Sequence, residues 1–478
     1  MSGAFVPLDR FRRTIADARL QTAIYTGTGR LIAKRKSTVG ADTLPDYEDL
    51  RDQAQRIKRN AIENLDYYLE QLESNVIAHG GHVVWCSSGA EVADFVLSLA
   101  KQRGARLIVK SKSMTTEEID LNDRLEHHQI EAVETDLGEY ILQLAHQRPY
   151  HIVAPALHMT RYDVADIFTE RLGVEREVVI ESQTLIARRV LREKFLAAGI
   201  GITGANFLVA DSGAAVVVEN EGNARLSSSA PRIHIAIAGI EKVIPRAQDL
   251  AVFLKLLGRS ATGQPLTVYT SFLSGPRRPG EVDGPEEFHL VLLDNGRTKL
   301  LADAQKRESL FCIRCGACLN HCPVYRKIGG HNYPWVYSGP IGAIITPQFH
   351  GVLKDPWLPY ASSLCGACAE VCPVKIDIPR LLLDLRSEVV QARKWKGSTR
   401  VEQAAFRAFA WIASHPRVYA RLGALAALVT PRGENGWLRR LPFFLRLGVL
   451  RKWLSQRDLP APARQSFRQY WRGRQKEK

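Results

Sequence analysis

The chain has 478 residues, 45% of them apolar and 24% charged, an ordinary balance for a soluble globular protein of about two to four domains. The opening MSGAFVPLDRFRRTIADARL lacks an apolar core and a small-residue cleavage site, and no stretch approaches 18 uncharged apolar residues, which argues against a signal peptide and a membrane-spanning helix and for a cytoplasmic protein. The net charge of +15 sits in the tail: residues 391–478 hold 20 Lys and Arg against four acids, a surplus of 16, so the remainder is close to neutral.

In chain order, residues 1–80 read as helical, with Leu50, Ala54, Ile57, Ile62, Leu65, Leu69 and Leu72 at spacings near three and four. Gly80-Gly81 closes that region. HVVWCS then reads as a buried strand, GAEVADFVLSLAKQRG as a helix ending at Gly104, and ARLIVKSKS as the next strand. The alternation continues through IEAVETD, GEYILQLAHQ, PYHIVAPAL and RYDVADIFTERLG, as expected for a parallel α/β sheet with crossover helices. After the helix LIARRVLREKFLAAGI the pattern changes to consecutive strands, with tight turns at Asp211-Ser212-Gly213 and Glu221-Gly222-Asn223. PLTVYTSFLSGP and EFHLVLLDNG add strands, and the α/β domain closes near Leu301. The expected division is a helical region at 1–80, an α/β domain at 81–301, a cysteine domain at 302–390 and a basic helical region at 391–478, broken at Pro416, Pro431, Gly433 and Pro442.

Seven of the eight cysteines fall within residues 312–372. Cys312-x2-Cys315-x2-Cys318-x3-Cys322-Pro323 has the spacing of a ferredoxin-type run, in which three thiolates converge on one [4Fe–4S] cluster and the fourth reaches a second. Applied here, that crossing rule gives cluster 1 to Cys312, Cys315, Cys318 and Cys372, and cluster 2 to Cys365, Cys368 and Cys322. The second run, SSLCGACAEVCP, has Ser362 where the first has Cys312. Three endings are open for cluster 2: Ser362 or another oxygen or nitrogen as fourth ligand, a [3Fe–4S] cluster, or an open iron. His321, His331 and His350 lie in the intervening insert and are further ligand candidates, against the blander reading of hydrogen-bonded loop histidines. Structural zinc takes C-x2-C pairs in fours, and seven cysteines do not divide that way.

Elsewhere the signals are weaker. Cys86 stands alone after a strand and reads as a small core residue. The absence of G-x-G-x-x-G and Walker A motifs leaves no support for a nucleotide cradle. The stretch GITGANFLVADSG could shape a small anionic pocket, although tight turns are the simpler reading. Glu126, His127, His128, Glu134 and Asp136 could hold a metal or substrate, or form a solvated face. The arginine-rich tail, with Trp453, Phe467, Tyr470 and Trp471, suits an acidic partner or an anionic membrane surface better than nucleic acid.

The order of LVADSGAAVVVENEGNARLSSSAPRIHIAIAGIEKVIP, GPRRPGEVDGPEEFHLVLLDNGR, CIRCGACLNHCPVYRKIGGH, YSGPIGAIITP and LPYASSLCGACAEVCPVKIDIP resembles the LutB family of iron–sulfur lactate-utilization proteins, over nearly the whole chain. The resemblance implies an α/β LUD domain of CoA-transferase and isomerase-like topology, a helical two-cluster ferredoxin-type domain and a helical basic C-terminal tail. It implies a part in oxidising L-lactate to pyruvate, with a LutA-like Cys-Cys-Gly protein and a LutC-like LUD protein as partners. It carries the cluster ligands onto the same seven cysteines and makes the three-cysteine second run a family trait. Within that expectation the chain is an electron carrier, with no catalytic residue assigned. The alternatives are a scaffold with structural clusters and an enzyme acting on a hydroxy acid at an open cluster iron.

Overall fold

The computed structural model describes residues 7–392, 398–429, 437–438, 459–463 and 465–476. It forms two units, residues 1–389 and 390–478. In the first, six strands make a wholly parallel sheet: β1 (His82–Cys86), β2 (Leu107–Lys110), β3 (Glu131–Glu134), β4 (Ile200–Thr203), β7 (Ile233–Gly239) and β10 (Glu287–Leu293). Their order is β1-β10-β7-β4-β2-β3. Central strands of such a sheet are covered on both faces, which is why β4 (IGIT) and β7 (IHIAIAG) are buried at every position. A smaller sheet, ordered β8-β5-β6-β9, is built from β5 (Phe207–Val209), β6 (Ala214–Glu219), β8 (Val243–Ile244) and β9 (Tyr269–Leu273). Helix ends follow local chemistry. Thr160 and Asp163 form a reciprocal capping box at the start of Arg161–Leu172, and left-handed Gly173 ends that helix.

Two segments depart from the sequence reading. PYHIVAPAL is turn-rich and not a strand. The His151 ring nitrogen Nδ1 accepts from the Val153 and Ala154 amides, removing donors that a ladder needs, and Pro155 has none to offer. The expected run of consecutive strands is interrupted by the helix Asn223–Ser229, which starts after left-handed Gly222. The Glu219 carboxylate accepts from the Ala224 and Arg225 amides at 2.8 and 2.9 Å, satisfying donors of its first turn.

The helices Tyr47–Glu63 and Leu65–Ala78 bury Leu50, Ala54, Ala61, Ile62, Leu65, Leu69, Leu72 and Val76. That face belongs to one hydrophobic core with the smaller sheet and with the cysteine segment as far as Leu385. The cysteine segment therefore has no separate core; it is packed on the α/β part. In the second unit the described elements are the helices Ser398–Ser414, Pro416–Val429 and Phe467–Lys476, and Trp437–Leu438 paired with Leu459–Pro460. Pro431, Gly433, Pro442 and Trp453 lie outside the described residues.

Candidate iron–sulfur site

Both cysteine runs follow one backbone path. The residue before the second cysteine position is left-handed in each, Arg314 at φ 61° and Leu364 at φ 54°, and so is the following glycine, Gly316 at 72° and Gly366 at 84°. A short helix begins next, Ala317–His321 in one run and Ala367–Glu370 in the other. Gly316 has a second reason to lack a side chain: an added Cβ would lie 3.1 Å from both the His151 ring and Val153. The opening side chains take equivalent hydrogen bonds. The Arg314 amide donates to Cys312 Sγ at 3.4 Å, and the Leu364 amide donates to Ser362 Oγ at 3.1 Å. Ser362 thus stands in the place of Cys312 in conformation as well as in sequence. The closing cysteines also accept backbone N–H groups, Cys322 from Tyr325 and Cys372 from Ile376, each at 3.4 Å.

Cys315, Cys322, Cys368 and Cys372 are buried, Cys312 and Cys318 half-buried, and Cys365 exposed. Burial pushes the thiols of Cys315 and Cys368 up to about 12 and that of Cys372 to about 11, and it raises Cys318 and Cys322 as well. Neighbouring sulfurs add to the effect. Cys315 and Cys318 are each raised by Cys312 and Cys372; Cys322 by Cys365; Cys368 by Cys322 and Cys365. Cys318 also lies close enough to Cys368 to be raised by it, so the two groups of sulfurs adjoin. Cys365 is held below the ordinary thiol range by hydrogen bonds from Ser363 and the Ala367 amide. Buried thiols raised this far become thiolates only beside strong positive charge, which bound metal supplies.

The spacing of the sulfurs speaks to which metal fits. Four thiolates at about 2.3 Å from one zinc ion stand roughly 3.8 Å apart. Among the described residues, no three cysteine sulfurs lie within 4.8 Å of one another. The donors are soft and numerous but too spread for a single ion, which suits a multi-iron cluster.

Residues remote in sequence hold this segment. Arg51 donates to the carbonyls of Cys372, at 3.0 Å, and Ala369, at 3.2 Å, while Gln55 donates to that of Lys375. Arg297, wholly buried, bonds Glu118 through both terminal nitrogens at 2.9 Å and Glu241 through Nε. Tyr337 donates to Glu118 at 2.7 Å, and the Arg314 guanidinium lies 4.5 Å from the centre of the Tyr337 ring. Lys58 and Lys242 are buried on the same side, near enough to Cys312 to feel its charge. Spacing and periodicity point to none of these cations. Arg314, inside C-I-R-C itself, had the only local signal.

Of the other sequence candidates, Glu126 and Glu134 line one pocket, and Glu134 gathers with Glu117 and Glu139, their carboxylate oxygens within 4.8 Å of one another. His321 and His331 are bonded to the Ala317 and Arg148 carbonyls, and His350 packs on Trp335. His127 and His128 bond carbonyls of their own helix, Asp136 caps the helix Leu137–Leu144, and Glu134 pairs with buried Lys110 at 2.6 Å. Cys86 is buried, its thiol pushed up to about 11 by burial.

A LUD-type α/β domain joined to a two-run cysteine segment defines the class: a LUD iron–sulfur protein. Family models agree in all three regions: the LUD domain matches residues 69–293, the 4Fe-4S dicluster domain 308–376, and the C-terminal domain of lactate utilisation protein B 384–476. The chain is 44% identical over 477 residues to Lactate utilization protein B of Bacillus licheniformis, covering 98% of each. The corresponding Bacillus velezensis protein is 44% identical over 474 residues, covering 98% of this chain and 97% of its own. An uncharacterized electron transport protein of Escherichia coli K12, YkgF, is 43% identical over 467 residues, covering 98% of this chain and 96% of its own. The chain belongs to the lactate utilization protein B family. No helix among the described residues is long and apolar enough to cross a membrane.

Proposed function

We propose that this protein is the electron-carrying component of a system that oxidises L-lactate to pyruvate. The observation that carries the reading is the gathering of seven cysteine sulfurs into two adjoining groups, within a chain that matches relatives named for lactate utilization and electron transport along nearly its whole length. Cys312, Cys315, Cys318 and Cys372 would hold one [4Fe–4S] cluster. Cys322, Cys365 and Cys368 would hold the other, with Ser362 Oγ a candidate for its fourth ligand. When bound, such clusters supply one-electron oxidation and reduction.

The chain's own residues shape that role. The N–H groups of Arg314, Tyr325 and Ile376 donate to thiolate sulfur and favour its negative charge. Arg314 puts positive charge near Cys312, joined by Lys58 and Lys242 when protonated, their pKa values lowered by burial to about 7 and about 8, and Cys315 and Cys372 belong to the hydrophobic core. Cys365 and Ser362 lie on the more open side, where electrons would pass to or from a partner. A LutA-like Cys-Cys-Gly protein and a LutC-like LUD protein are the partners proposed, in the cytoplasm. The basic second unit, with exposed Phe406, Phe409, Trp411 and Tyr419, would rest on an anionic membrane surface or on one of those partners.

Iron and acid-labile sulfide assays with potentiometric EPR on anaerobically purified protein test the reading. Two clusters that titrate within the physiological range support it. Iron-free protein loaded with zinc, or clusters that stay redox-silent, would overturn it.

A further inference from the structure

A pocket of about 310 Å³ opens at the carboxyl end of β3, with Glu134, the last residue of that strand, in its wall. Ligands of open parallel α/β sheets bind at that end of the strands. None of the seven clustered cysteines lines it.

Three carboxylates converge there. Glu117, Glu134 and Glu139 each place an oxygen within 4.8 Å of the other two. Glu134 and Glu139 are each only 3% exposed. One buried cation serves the group: Lys110 Nζ donates to Glu117 Oε1 at 2.9 Å, to Glu134 Oε1 at 2.6 Å and to Thr116 Oγ1 at 2.9 Å, which uses all three of its N–H groups. Three carboxylates against one ammonium leave two negative charges uncompensated when all are ionised. Arg148 stands in the same wall, but its Nη1 reaches the Pro334 carbonyl, and among the described residues it pairs with none of the three.

The acceptors left over define a ligand. Among the described residues, both carboxylate oxygens of Glu139 are buried without a hydrogen-bond partner, and so are Glu134 Oε2 and Asn122 Oδ1. All three residues line the pocket. Asn122 Nδ2 donates to Glu134 Oε1 at 2.7 Å, which holds the amide oxygen beside the group. A proton shared between two carboxyls does not account for Glu139, since neither of its oxygens hydrogen-bonds another group. Buried acceptors without donors are costly, and buried carboxylates more so. A hard divalent cation satisfies them together: oxygens bound to one such ion stand roughly 3–5 Å apart. The converging set holds no sulfur or imidazole, the donors that suit zinc and copper, and the pocket leaves room for the waters that Mg²⁺ retains.

We propose that Glu117, Glu134 and Glu139, with the Asn122 side-chain oxygen, form a site for a hard divalent cation of the Mg²⁺, Mn²⁺ or Ca²⁺ type. The site is independent of the electron-transfer reading.

The test is room-temperature EPR titration of Mn²⁺ into anaerobically purified full-length protein, the six-line signal reporting free ion, with iron content measured on the same samples. One equivalent is expected to bind below millimolar concentration and to be displaced by excess Mg²⁺ or Ca²⁺. Glu139→Gln keeps the shape and removes the charge; it is expected to weaken binding at least about tenfold, no less than the loss of an outer partner of a ligand costs. Asn122→Ala is expected to weaken it several-fold, and neither variant to change iron content. Hydrogen exchange of wild-type protein with and without Mn²⁺ keeps the test decisive should the variants not fold, with slowing expected in the helices Leu121–His127 and Leu137–Leu144. No binding at millimolar Mn²⁺, undiminished binding by either variant, displacement by Zn²⁺ but not by Mg²⁺ or Ca²⁺, or slowed exchange confined to other segments would each overturn the assignment.

Discussion

Residues 312–322 and 362–372 trace the same turn–helix–turn, left-handed at the same two positions, yet they sit in unlike surroundings. The first run is built into the core, with Cys315 buried, buried cations beside it and Arg314 at its first left-handed position. The second has exposed Cys365, with Leu364 in place of Arg314 and Ser362 in place of Cys312. The same backbone thus presents one iron-binding corner to the protein interior and the other to the surface. Since cluster potentials follow charge, hydrogen bonding and exposure, the two clusters proposed for these runs would differ in character although one motif is used twice.

The largest effect expected follows from the proposed crossing of ligands between the runs. Cys372→Ala, in the second run, is expected to abolish the cluster of the first run and leave the other, and Cys322→Ala to do the reverse. EPR of the reduced variants, with iron counted per chain, checks it. If each substitution removed the cluster of its own run, the crossed assignment would be wrong.

Next comes the brace on the core side. Arg297, Glu118 and Glu241 are all buried, and removing one partner leaves charge without compensation. Arg297→Ala is expected to cost about 3–5 kcal/mol, read as a lowered denaturation midpoint. The same network makes stability depend on acid. Burial alone would raise the Glu241 carboxyl, but Arg297 and Arg314 bring it down to about 2 from an ordinary 4.5. Its folded value is the depressed one, so its stabilising contribution is complete above about pH 4.5 and lost as pH falls towards 2. Arg297→Ala should flatten that part of the stability profile.

These cases mark what could be read from the sequence. The β–α alternation, the helical spacing from Leu50 to Leu72 and the two cysteine runs were legible because each is a local pattern. PYHIVAPAL misled because its apolar residues suit a strand, while the His151 ring takes the amide donors. The helix Asn223–Ser229 was missed because it is short, polar and capped by Glu219 from the preceding strand. Arg51, Lys58, Glu118 and Lys242 stayed hidden for a different reason: the site recruits them across up to 321 positions of sequence, and no periodicity records that distance.

A smaller effect separates Arg314 from Leu364. A unit charge about 10 Å away in an effective dielectric of roughly 20 is worth about 1.7 kcal/mol, or about 70 mV for one electron. Arg314→Gln is therefore expected to lower the potential of the first cluster, on the order of tens of millivolts, and to leave the second near its wild-type value. Potentiometric EPR on both signals reads it. Equal shifts in the two would show that the cation is not local to the first run.

Ser362 supplies the finest test, because it tries to make the second run resemble the first. Its hydroxyl already takes the hydrogen bond from Leu364 that Cys312 sulfur takes from Arg314, so Ser362→Cys places a thiol there with no change of backbone. Ser362 is only half-buried, so the larger sulfur atom has room. The expected outcome is a fourth thiolate on the second cluster, a full four irons at that site and slower bleaching in air, with the first cluster's signal unchanged. Wild-type bleaching rates and iron content in this variant would mean that the fourth corner is filled from elsewhere, and that likeness of backbone between the runs does not extend to likeness of ligation.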